Sequence, residues 1–203
     1  MSDKPDLHAL PGSLPVPEDD GAANHLLDSH VPDIALMATT GSEINLADVS
    51  SAGKWLVVYA YPQTGVPGRP VPPGWDDIPG ARGCTPQSCA FRDGARALAD
   101  LEASVFGLSG QSLDEQREFA EREQLPYPLL NDSAFRLAAE WGLPTFEANG
   151  SRYYRRLTFI ARNGQIAKAF YPVFPPQNNA DDVVAWLQSA EARGRTGVAE
   201  SPG

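Results

Sequence analysis

The stretch that most constrains this chain is WLVVYAY at residues 55–61, seven consecutive apolar or aromatic side chains of strand length. A strand with one wet face alternates apolar and polar positions, whereas an unbroken run is buried on both faces. The run therefore predicts a central strand in a sheet whose two faces are both covered.

The flanking patterns supply the covering elements. Residues 33–37 and 43–46 flank the turn sequence TTGS and predict a hairpin. A helix is predicted over residues 86–102, with Phe91, Ala95, Leu98 and Leu101 at helical spacing, Pro86 at its first position and Thr85 as N-cap. Residues 105–108 read as the next strand. SLDE at 112–115 is a capping box opening a helix to about residue 124. Residues 125–130 are extended, and a short helix over 133–141 is ended by Gly142. Residues 153–162 and 165–171 flank Asn163-Gly164, a strong hairpin signal, and the last helix covers 180–192. A βαβ half followed by a ββα half predicts an α/β protein of thioredoxin-like fold, a mixed central sheet with helices on both faces.

A length of 203 residues suits one domain with tails. Residues 1–30, rich in Pro, Gly and acids, read as an N-terminal extension that is mobile or wraps the domain; residues 31–193 form the domain; 194–203 read as a disordered tail. Inside the domain, residues 65–83 form an inserted loop with five prolines and five glycines. Loops of that length are lids, binding loops or disordered segments. Trp75 within it either pins the loop to the body or lines a substrate or partner surface.

The formal net charge of −10 and pI near 4.7 argue against nucleic acid or an anionic membrane as partner. No apolar run reaches membrane-spanning length and the N-terminal stretch has no signal-peptide core, so a cytoplasmic protein is expected. In a reducing compartment a cysteine pair is catalytic or sensing more often than structural. The only two cysteines, Cys84 and Cys89, lie in GARGCTPQSCAFRD, where a loop becomes a helix. No metal site is expected, because His8, His25 and His30 all lie near the N-terminus and no second cysteine pair exists. A helix start favours a thiolate at Cys84, while Cys89 also suits a small buried apolar side chain. On an intact helix, residues five apart have Cα atoms roughly 8.6 Å apart, beyond the approximately 7 Å a disulfide spans. A Cys84–Cys89 bridge thus requires the first turns to unwind.

Tyr61-Pro62, then Gly83-Cys84-Thr85, then Cys89 and Phe91-Arg92-Asp93, resemble the peroxiredoxins, above all their atypical two-cysteine branch, the bacterioferritin comigratory protein or Q-type group. VFGLS at 105–109, PYPLLND at 126–132 and RLTFI at 156–160 extend the resemblance over residues 32–187. It implies that Cys84 is the peroxidatic cysteine, oxidised to a sulfenic acid by hydrogen peroxide or small organic hydroperoxides. It implies that Cys89 resolves that acid as an intramolecular disulfide, and that Arg156 holds the thiolate and the peroxide oxygens. Without the resemblance, Arg156 reads as a solvated strand-edge charge beside Arg152 and Arg155. The expected reductant is a thioredoxin-like or glutaredoxin-like protein; no cofactor is expected, and a monomer or weak dimer suffices. Two departures stand out. The connection from Pro62 to Cys84 is much longer than in the family, and Ala81 occupies the place of the usual threonine. Thr64 is the candidate for the missing hydroxyl, and the long loop is expected to exclude bulky lipid peroxides. Two rival readings are a peroxide sensor or redox-switched binding protein, and a thiol–disulfide oxidoreductase, which the lack of a Cys-x2-Cys pair disfavours.

Overall fold

The structure is a computed structural model that describes residue 8 and residues 10–198, with side chains to residue 193. Strands β1 (Ala35–Ala38) and β2 (Glu43–Asn45) form the expected hairpin, and helix α1 (Leu46–Ser51) follows at once, capped by the Asn45 side chain on the Ala47 N–H. Strand β3 (Trp55–Ala60) is the predicted central strand, buried at every position. Beyond the long loop come α2 (Cys84–Asp93), α3 (Ala95–Asp100), β4 (Ala103–Ser109) and α4 (Leu113–Arg122), the last opened by the Ser112–Glu115 capping box. Strand β5 (Leu129–Asn131), helix α5 (Arg136–Trp141), strands β6 (Thr145–Ala148), β7 (Ser151–Tyr154), β8 (Leu157–Arg162) and β9 (Gln165–Phe170), and helix α6 (Asn179–Val198) complete the chain.

The main sheet has seven strands in the order β2-β1-β5-β4-β3-β8-β9. The β5–β4 and β4–β3 pairs are parallel; the others are antiparallel. Alternation along β3 explains the unbroken apolar run. Leu56, Val58 and Ala60 enter a core with Leu46, Leu137 and Trp141, while Trp55, Val57 and Tyr59 enter a second core with Phe91, Leu98, Phe119 and Leu187. Helices cover both faces, which is the thioredoxin-like arrangement.

Several boundaries differ from expectation. The helix predicted over 86–102 is two helices, because Gly94 closes α2 with its N–H on Ala90 and Arg92 carbonyls. The strand predicted over 153–162 is also two. Its first part, β7, pairs with β6 through Asn149-Gly150, whose φ values of 50° and 74° match the turn at Asn163-Gly164. Helix α5 starts later than predicted, where the Asp132 carboxylate accepts from the Arg136 and Leu137 N–H groups. Helix α6 extends to Val198, past the expected residue 192, and residues 199–203 of the predicted tail lie outside the described residues.

The packed body also begins before residue 31, the expected start of the domain. Ala23, Leu26 and Val31 join the first core, His25 Nε2 lies 2.8 Å from the Trp141 carbonyl, and Tyr171 donates to Asp20. Further upstream, Leu10 reaches the start of α2 beside Gly83.

Candidate active site

Cys84 is the first residue of α2, directly behind the long loop. The N-cap is Gly83, not Thr85, and Pro86 falls in the third helical position. Gly83 has φ of 101°, and a Cβ there would sit 2.4 Å from Pro176 Cγ and 3.2 Å from Leu10 Cδ2. Backbone conformation and space both demand glycine. Gly83→Ala is expected to destabilise the protein by about 1–3 kcal/mol, the cost of a forced left-handed residue. An unchanged urea midpoint would contradict this account of the turn.

The Cys84 thiol is buried and its Sγ lies 3.2 Å from Arg156 Nη2 and 3.7 Å from the Ala81 carbonyl. Arg156 directly precedes β8 and is only 3% exposed, so it is no solvated edge charge. The end of the long loop is its cradle. The guanidinium donates to the carbonyls of Gly80, Ala81 and Arg82 at 3.0–3.3 Å, and to Gln87 Oε1. Gln87 in turn donates to Asn179 Oδ1 at 2.9 Å, which also accepts from the Thr158 hydroxyl at 2.6 Å. Every one of these partners is neutral, and among the ion pairs of the described residues none involves Arg156. The group touching Arg156 that can carry a negative charge is the Cys84 sulfur. The guanidinium thus has no carboxylate competing with the Cys84 sulfur for its charge.

Sequence reasoning missed this neutral relay. Gln87 lies three residues after Cys84, on the same side of the helix, and Thr158 shares a strand-type face with Arg156. Those spacings were readable; Asn179 had no local signal. Gln87→Glu is expected to give Arg156 a competing negative partner. Reaction of Cys84 with peroxide should slow by roughly tenfold, as the guanidinium is drawn from the sulfur and the developing oxyanion. An unchanged rate would mean the neutrality of Gln87 is immaterial.

Thr64, Val66, Arg69, Trp75, Ala81 and Cys84 line one cavity of about 110 Å³. Trp75 is buried edge-on against Tyr153 at 4.9 Å and near Phe146 at 6.0 Å, so it both pins the loop to the β6–β7 hairpin and borders the cavity. The Thr64 N–H and hydroxyl both donate to Gln111 Oε1, at 2.8 and 3.0 Å. With its proton committed to Gln111, the Thr64 oxygen is left as an acceptor. Ala81 contributes its carbonyl in place of a side chain. Gln111, like Asn179, gave no sequence signal.

Cys89 is not beside Cys84: both are free thiols on an intact α2. Cys89 Sγ points to Glu123 Oε2 at 3.6 Å and to His8 Nδ1 at 3.9 Å. Burial, reinforced by Glu123 and opposed by Arg92, pushes its thiol up to about 11, so it stays protonated at neutral pH. Helix α2 is seated on the sheet by Phe91, stacked on Tyr59 at 4.6 Å, and by the Tyr59 and Tyr127 hydroxyls on Ser88.

The chain matches the Redoxin family over residues 27–184. It is 31% identical over 189 residues to chloroplastic peroxiredoxin Q of Gentiana triflora, covering 91% of this chain and 79% of that protein. It is 31% identical over 158 residues to chloroplastic peroxiredoxin Q of Sedum lineare, covering 78% of this chain and 75% of that one. The crystal structure of peroxidoxin BcpB from Mycobacterium tuberculosis aligns with a TM-score of 0.65 at 27% identity, over 80% of this chain and 96% of the other. The chain therefore belongs to the redoxin family, with a thioredoxin-like fold and a buried thiol at a helix start. Within that family it is a peroxiredoxin of the Q type, an oxidoreductase with thiol peroxidase activity.

Proposed function

We propose that the protein reduces hydrogen peroxide and small organic hydroperoxides at Cys84, and the observation that carries this reading is the 3.2 Å contact of Arg156 with the Cys84 sulfur, which lines a small cavity. The thiolate attacks one peroxide oxygen. An S–O bond forms, the O–O bond breaks, and the departing oxygen takes a proton to leave as water or alcohol. Arg156 holds the sulfur and steadies the charge that develops on oxygen, while the Thr64 oxygen accepts from the peroxide O–H. Cys89 then attacks the Cys84 sulfenic acid; an S–S bond forms, and its thiol proton leaves with the hydroxyl as water. The intact helix requires α2 to unwind for this step.

The small cavity supports small peroxides over lipid peroxides. A thioredoxin-like or glutaredoxin-like dithiol protein reduces the disulfide. Intramolecular resolution suits a monomer or weak dimer, and the catalytic domain extends upstream of the expected residue 31 to take in Ala23 and Leu26. A cytoplasmic location is part of this reading, although the plant relatives are named chloroplastic. Among the described residues no helix is long and apolar enough to cross a membrane. The acidic charge speaks against nucleic acid as partner. One contact favours a second reading, a peroxide sensor or redox-switched binding protein: Leu10 of the N-terminal extension rests beside Gly83, where unwinding would disturb it.

The test is Cys89→Ser. It should still consume one equivalent of peroxide at the wild-type rate, while thioredoxin-coupled turnover falls by on the order of 100-fold. Normal cycling by that variant would remove Cys89 from the resolving role.

A further inference from the structure

We propose that His8, Cys89 and Glu123 form a binding site for a thiophilic divalent cation, with zinc the best fit. The three residues come from the N-terminal extension, α2 and the end of α4, and their donor atoms all lie within 4.8 Å of one another. Cys89 Sγ is 3.6 Å from Glu123 Oε2 and 3.9 Å from His8 Nδ1, and His8 Nε2 is 3.6 Å from the same carboxylate oxygen. Ligands about 2.0–2.3 Å from a tetrahedral zinc ion sit roughly 3.3–3.8 Å apart, and since only one His8 nitrogen can bind, the exposed ring must shift slightly to draw the donors, now within 4.8 Å, around the ion. A thiolate and an imidazole select zinc-like ions over magnesium or calcium. His8 lies 81 positions from Cys89, which is why the sequence did not suggest the site.

The local charges match a divalent ion. Glu123 Oε1 is taken by Arg122, leaving Oε2 directed at Cys89 and His8. Arg122 is balanced by Glu118, and Arg92 by Asp93. The Glu123 carboxylate and a Cys89 thiolate then remain as two negative charges facing the ion. The His8 side chain is 57% exposed, so the fourth position opens to solvent and water can fill it. Binding displaces the Cys89 proton to solvent.

The consequence rests on the proposed role of Cys89. An ion bonded to that sulfur holds it in the folded α2 and withholds it from the Cys84 sulfenic acid. Zinc would therefore stall resolution while leaving the first oxidation of Cys84 intact.

The experiment uses the untagged, fully reduced full-length protein, titrated with cobalt(II) and then zinc(II). One cobalt per chain, with a sulfur-to-cobalt charge-transfer band that zinc abolishes, is expected. Cys89→Ser should lose the band and Cys84→Ser should keep it. His8→Ala and Glu123→Gln should each weaken binding at least about tenfold, the loss that even outer partners of a metal ligand produce. Absence of stoichiometric binding, or a band that survives Cys89→Ser, would overturn the site. In a second arm, zinc should slow Cys84–Cys89 disulfide formation at least about tenfold after peroxide addition, and a chelator should reverse this. Metal binding with unchanged disulfide formation would overturn the regulatory consequence. A failure of the peroxidase reading itself would look different: peroxide would persist with and without zinc while the cobalt band stayed.

Discussion

Replacement of Cys84 by serine is expected to lower kcat/KM for peroxide by on the order of 10³-fold or more, because a serine hydroxyl is not ionised at neutral pH and is a far weaker nucleophile. The fold should survive. The side chain is small, and its sulfur contacts are the Arg156 guanidinium and the Ala81 carbonyl, both of which a hydroxyl can still meet. Steady-state peroxide consumption coupled to a thioredoxin system measures the loss, and an unchanged thermal midpoint separates it from misfolding. Activity within about tenfold of wild type would place the chemistry elsewhere.

Arg156 is expected to have the next largest effect. Arg156→Lys keeps the positive charge but loses the planar fork that serves three loop carbonyls, Gln87 and the Cys84 sulfur together. The rate of Cys84 oxidation should fall by about 10²–10³-fold, the scale of losing a preorganised donor to a developing oxyanion. Arg156→Ala adds a stability cost of at least about 1–3 kcal/mol, since buried carbonyls of the long loop are left without a donor. Comparing the two variants separates roles. If the lysine variant oxidises Cys84 at the wild-type rate, charge alone is sufficient and the fork geometry is irrelevant. If the alanine variant keeps the wild-type denaturation midpoint, the loop does not depend on Arg156.

This double duty explains the inserted loop. Its last residues supply carbonyls to Arg156, its centre is anchored by Trp75 on the β6–β7 hairpin, and Arg122 holds its start through the Gly65 carbonyl. The loop is thus part of the wall around Cys84.

What could be read from the sequence was local. The buried strand at 55–60, the Ser112 capping box, the Asn163-Gly164 turn and a cysteine at a helix start each carry their signal within a few residues. The β6–β7 hairpin was missed despite its own Asn-Gly turn, because TFEA and SRYY are four residues each and mix polar with aromatic positions. The break at Gly94 was missed because the apolar spacing of Phe91 and Leu98 continues across it. The surroundings of Arg156 were beyond reach for a different reason. Arg152, Arg155 and Arg156 look alike as a basic cluster, and only the fold exposes Arg152 while burying Arg156 beneath the loop. Gln87, Asn179 and Gln111 meet their partners across long sequence separations that no periodicity encodes.

The most direct test of the central claim is to add one equivalent of hydrogen peroxide to the fully reduced protein, then record the intact mass and a non-reducing peptide map. The account predicts rapid loss of two hydrogen atoms and a peptide cross-linked through Cys84 and Cys89. Thiols that remain reduced for minutes, or oxygen added to Cys84 with Cys89 left free, would contradict it.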